Sequence, residues 1–196
     1  MLDKLAVLIS RIFNPVFLLL ASLIVALMPL EIPLLQKVGW FVASLILGTA
    51  LPLAVLYIEK KRGNISSWFI FKREERFKVH LFTLISAVLY LAAIYGFGGP
   101  KPLLAVSTSY AGLAALMFLS NFIWKISGHT IAATLFVLVL LLFLSIDYWP
   151  AISLVFLVAW SRWHLRAHKL EDLISAVLLT SAVTLAILFF FGLASF

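Results

Sequence analysis

Ser161-Arg162-Trp163-His164-Leu165-Arg166-Ala167-His168-Lys169-Leu170-Glu171-Asp172 is a dense polar knot with long apolar runs on both sides. Histidine, arginine and aspartate are expensive where water gives way to hydrocarbon, so a cluster of them there marks a functional site. Working outward, the run before the knot reaches back to Trp149-Pro150, and the run after it extends from Leu173 to about Phe191. Both read as membrane-spanning helices, the first near the lower limit for crossing a hydrocarbon core about 30 Å thick. That sets the expected fold class: an all-α, polytopic transmembrane helical bundle.

Composition points the same way. Hydrophobic residues make up 64% of the chain and charged ones 12%, with a mean hydropathy of +1.16, which excludes an ordinary soluble domain. The apolar runs are continuous, whereas the strands of an outer-membrane barrel alternate. A net charge of +7 in such a chain reflects orientation and attraction to anionic head groups, so the bilayer is the expected partner and nucleic acid is not. The absence of cysteine excludes disulfides and thiolate metal sites. The first apolar run lacks a small-x-small cleavage site and more apolar runs follow, so no cleavable signal peptide is expected.

Taken in order, Leu2 to Phe13 carries Asp3, Lys4 and Arg11 among apolar residues, the pattern of an interfacial amphipathic helix. Asn14-Pro15 has the chemistry of a cap and first turn and opens a span through about Leu30. Further spans are expected at about Gln36–Ile58, Val79–Phe97, Leu103–Ile123, Thr130–Asp147, Trp149–Trp160 and Leu173–Phe191, giving six to seven in one membrane-embedded domain over residues 1–196. Glu59 to Lys78 is the largest polar interval. Five tryptophans (Trp40, Trp124, Trp149, Trp160, Trp163) fall near helix ends, as interfacial anchors do. With seven spans, the polar interval, Lys125–Thr130 and the knot all emerge on one face. Only Lys37 and Lys101 of the 15 lysines and arginines lie opposite, so this face is expected to be the cytoplasmic side of the cell membrane.

The knot contains Ser161-Arg162, five residues, His168, three residues and Asp172. This resembles the third signature motif of the type 2 phosphatidic acid phosphatase superfamily. Lys125-Ile126-Ser127-Gly128-His129 resembles that family's second motif, Pro-Ser-Gly-His, with isoleucine in the proline's place. The two occur in the family's order, two spans apart, and the resemblance covers the chain from about Lys60 onward. The first motif, a lysine, six residues and Arg-Pro, fits less well. With its arginine on Arg76, Phe69 stands at the lysine and Phe77 at the proline, leaving Lys72 or Arg73 to supply the missing charge.

The resemblance implies a bundle with that family's core and a metal-independent, cofactor-free phosphatase acting on a membrane lipid phosphate or diphosphate. Phosphatidic acid, phosphatidylglycerophosphate and undecaprenyl diphosphate are the substrate types it suggests. His168 would be the nucleophile forming a phosphohistidine, Asp172 would fix its tautomer, and His129 would act as acid and then base. Arg162, Arg76, Arg73, Lys72 and the backbone around Ser127 and Gly128 would hold the phosphate oxygens. The chemistry is coherent on its own terms, because phosphoryl transfer asks mainly for positioning and for neutralised oxygens. Plainer readings stand beside it. His129 is also a helix-start residue, Arg162 a snorkelling anchor, Arg73 to Arg76 a solvated charge run and His80 a structural residue. Two rival functions remain: a phosphotransferase using the same histidine, and a non-catalytic relative that binds or translocates phospholipid.

Overall fold

The structure is a computed structural model that describes residues 1–65 and 73–193; the side chains of Arg73 and Glu74 are also outside the description. Among the described residues the chain is helical, with no strand. The helices are α1 (Leu2–Ile12), α2 (Pro15–Leu27), α3 (Leu34–Ala43), α4 (Leu51–Lys61), α5 (Arg73–Gly96), α6 (Lys101–Ser120), α7 (Gly128–Phe143), α8 (Ile152–His164) and α9 (Leu170–Phe190). A π-helical stretch, Ser44–Ala50, joins α3 to α4, and a 3-10 turn, Ile146–Ala151, leads into α8.

Among the described residues, four helical segments are long and apolar enough to cross a membrane: 34–61, 75–96, 101–120 and 170–190. The pair α1 and α2, bent by 44° at Phe13-Asn14, makes a fifth if read as one broken span. Helices also occur at the two remaining expected places, but α7 has 16 residues and α8 has 13. At 1.5 Å per residue they are about 24 and 20 Å long, short of a full hydrocarbon core. Large apolar side chains stand on the outside throughout, Tyr95 (80% exposed) and Phe97 (82%) among them, which suits a lipid surrounding.

Local chemistry explains the element boundaries. Asn14 accepts the Val16 amide at 3.0 Å and Pro15 occupies the first turn of α2, as the dipeptide predicts. Pro52 has no N–H to close the helix behind it, and the chain widens to π geometry just before it. The carbonyls this releases are taken by neighbouring helices: the Ser86 hydroxyl on α5 donates to Leu47, and the Tyr110 hydroxyl on α6 donates to Gly48 at 3.4 Å. A break in one helix thus becomes a tie between three.

α7 packs against α2, α8 and α9, while α5 lies between α6 and the 34–61 segment. The core runs through Leu23, Tyr90, Leu103, Leu113, Leu135 and Ala176. The polar connections sort to two ends. One end gathers Lys37, whose ammonium donates to the Met28 carbonyl at 3.1 Å, and Lys101, near Gly192. The other holds Glu59, Arg76, Lys125, His129, Arg162 and His168. There Glu59 closes α4 onto α5, accepting from Lys78 and from Asn64, each at 2.9 Å.

Candidate active site

The polar knot is not one continuous helix. α8 ends at His164, Arg166 takes a left-handed conformation (φ 51°), and α9 starts at Leu170. The cause is the reversal between two antiparallel helices. The amides of Ala167 and His168 turn back onto the Arg162 carbonyl at 3.0 and 3.3 Å, closing α8. His168 and Asp172 nonetheless meet, by capping geometry. Asp172, third residue of α9, reaches back to accept the Lys169 amide at 3.0 Å, and the same carboxylate oxygen lies 3.4 Å from His168 Nδ1. A carboxylate beside Nδ1 holds the ring proton there and leaves the Nε2 lone pair available.

Cationic groups converge on that ring. Burial first, then the charges of Lys125, Arg162, Arg76 and His129, hold the His168 pKa far below its ordinary value, so the imidazole is neutral at physiological pH. Lys125 is itself pushed down, by burial and then by Arg76, while Asp172 opposes the shift. Its ammonium donates to the Ala167 carbonyl, fixing the loop that carries His168.

His129 is the second residue of α7. Ser127 caps that helix, its hydroxyl oxygen accepting the Thr130 amide at 3.3 Å and the Thr130 hydroxyl at 3.0 Å. Its side chain is fully buried and does not line the cavity beside His129. What remains for an anion is backbone: the amides of Gly128 and His129, which have no preceding turn to bond to. Gly128 lies so close to α6 that a Cβ there would stand 3.0 Å from Met117 Cε.

Arg76, His80, Gly128, His129, Arg162 and His168 line one cavity of about 250 Å³. Its remaining wall is mainly apolar and reaches Leu19, Gly48, Leu53 and Leu113, well inside the bundle. Arg76 and Arg162 are both buried. The site residues expected from sequence on α5, α7, α8 and α9 are thus brought together. Lys72 lies outside the described residues, as does the side chain of Arg73. His80, read from sequence as structural, stands on the cavity wall.

One residue of this cluster had no sequence signal. Ser10 of α1 is fully buried and accepts a hydrogen bond from Arg162 Nη1 at 2.7 Å; its hydroxyl also lies 3.3 Å from His129 Nε2. A second contact, Asp3 with His164 Nε2 at 2.7 Å, clamps the start of α1 to the end of α8. The amphipathic pattern foretells the helix but not which of its residues turns inward.

No protein-family model matches the chain, and neither the curated proteins nor the solved structures contain a match to it.

Proposed function

We propose that the protein is an integral-membrane, metal-independent phosphatase of the type 2 phosphatidic acid phosphatase kind, hydrolysing a lipid phosphate or diphosphate ester. One observation carries the reading. A histidine oriented by a carboxylate (His168 and Asp172, 3.4 Å) shares a cavity with a second histidine, two buried arginines and an apolar wall. A phosphate on a hydrocarbon tail is the ligand whose two halves match those two surfaces.

The steps follow from the groups present. The Nε2 lone pair of His168 attacks phosphorus, the bond to the leaving oxygen breaks, and His129 gives that oxygen its proton. Water then loses a proton to His129 as its oxygen attacks phosphorus, the P–N bond breaks, and phosphate leaves with His168 restored. Arg162, Arg76 and the amides of Gly128 and His129 neutralise the equatorial oxygens through both steps. Asp172 keeps the attacking nitrogen unprotonated.

The finer topology belongs to the same proposal. Counting α2, the 34–61 segment and α5 to α9 as spans gives seven. The shortness of α7 and α8 then means that their polar ends lie below the head groups, where a lipid phosphate can be reached from within the bilayer. The test is phosphate release from a panel of lipid phosphates in detergent with EDTA present. Activity is expected to survive EDTA and to fall by about a thousandfold in His168→Ala and His129→Ala. Full activity in either variant removes the assignment.

A further inference from the structure

α8 and α9 each pack on α7 and leave between them a groove of about 530 Å³ that shares no lining residue with the cavity holding His129 and His168. Its floor is α7 from Thr134 to Leu141. One wall is α8 from Ile152 to Trp163, and the other is α9 from Leu170 to Ser181. Each wall runs eleven residues away from the α8–α9 turn. At 1.5 Å per residue that is about 16 Å, half of a hydrocarbon core about 30 Å thick. The groove is therefore as long as one leaflet is deep.

What it offers along that length is hydrocarbon. The Thr134 hydroxyl donates to the Thr130 carbonyl at 2.8 Å, inside its own helix. Trp160 and Trp163 stand at the end nearest the turn, as tryptophans do at the level of the head groups. At that end the chemistry changes. The turn joining the two walls, residues 165–169, carries Arg166 and Lys169, both exposed. Of the acidic groups on α1, α8 and α9, Asp3 is paired with His164 at 2.7 Å, and Asp172 accepts the Lys169 amide at 3.0 Å beside His168. Glu171 is left against two cations, so the mouth of the groove carries a local excess of one positive charge.

We propose that the groove is a phospholipid site, with one acyl chain lying along it and a head group of net negative charge at Arg166 and Lys169. A polar tail would leave its own groups unpaired against the lining, and a zwitterionic head would leave the excess charge unmatched. A helix of a second copy fits less well. At about 10 Å across it would displace more than about 1,000 Å³ over the same length. The site rests on the chain lying in a bilayer and does not depend on what the catalytic cavity hydrolyses.

The experiment is native mass spectrometry of the whole chain in detergent, titrated with phosphatidylglycerol or with phosphatidylcholine of the same acyl chains. Wild type is expected to bind phosphatidylglycerol about tenfold more tightly, with the difference shrinking as salt is raised. The double variant Arg166→Gln, Lys169→Gln brings phosphatidylglycerol to the affinity of phosphatidylcholine and leaves the latter unchanged. Ala159→Phe, which fills the middle of the groove, weakens both lipids by about tenfold or more. Ile174→Trp on the facing wall does the same, and takes its place if the first variant does not fold. Equal affinity of wild type for the two lipids overturns the proposal, as does unchanged phosphatidylglycerol binding in the groove-filling variants. Dimers without bound lipid that dissociate on Ala159→Phe would give the groove to a second copy of the chain, and overturn it as well.

Discussion

Ser10 shows how much one hydroxyl can organise. Its oxygen accepts from the guanidinium of Arg162 and lies against the ring of His129, so it positions two groups that the proposed mechanism aims at one phosphate. Ser10→Ala is expected to raise KM about tenfold with a smaller effect on kcat, and Ser10→Thr to stay near wild type. Steady-state kinetics in detergent read the split, and an unchanged KM in Ser10→Ala would remove the role. The pH behaviour of His168 follows from its burial among cations. Because the folded pKa lies below the unfolded value of about 6.5, the ring stays neutral in the folded protein while the unfolded chain takes up a proton. Stability is therefore lost as pH falls below about 6.5, and the loss continues down towards the folded pKa. His168→Gln should flatten that part of a curve of thermal midpoint against pH in detergent. A steeper curve in the variant would contradict the neutral ring. The same neutrality places the acidic limb of kcat/KM, where it belongs to His168, below pH 6.5.

Among the elements, the π-helical stretch makes the sharpest energetic statement. Ser86 and Tyr110 satisfy carbonyls that Pro52 cannot reach, so removing Ser86's hydroxyl should cost about 1–2 kcal/mol. Restoring an N–H with Pro52→Ala should be nearly neutral alone but rescue most of the Ser86→Ala loss. Denaturant unfolding of the two single variants and the double in detergent tests this, and strict additivity would refute it. None of it was legible in the sequence, because Pro52 lies in an apolar run whose hydropathy marks a span whatever the hydrogen-bond register. What the sequence carries is what depends on local chemistry. The Asn14 cap, the turn of polar residues before α7 and the long apolar runs are each read from a few adjacent residues. The meeting of His129, Arg162, His168 and Asp172 is legible only through motif resemblance, since no local rule joins residues in different spans. Ser10 escapes both routes, being 119 residues from His129 and 152 from Arg162. The Arg166 turn escapes too: a left-handed arginine carries no glycine or proline to announce it.

At the scale of the whole molecule, the end that holds the cavity also holds most of the cations, with Lys37 and Lys101 at the opposite end. In a seven-span arrangement the positive-inside rule turns that asymmetry into a direction, with the cavity towards the cytoplasm. In the proposed function some of those charges would hold a phosphate whichever way the chain is inserted, so the direction has its own measurement. The chain supplies the means, because it has no cysteine and a single introduced thiol reports without background. Arg166 in the α8–α9 turn and Trp149 before α8 are both exposed and lie at opposite ends of α8. In intact cells a membrane-impermeant maleimide should label Trp149→Cys and spare Arg166→Cys until the membrane is opened. The reverse pattern would put the cavity on the outer surface, where a recycled lipid carrier rather than a newly made lipid phosphate would meet it. Labelling of both from outside would mean that α8 does not cross the membrane at all. The short 20 Å helix would then lie within one leaflet, and the span count would fall towards the five that length and composition alone support.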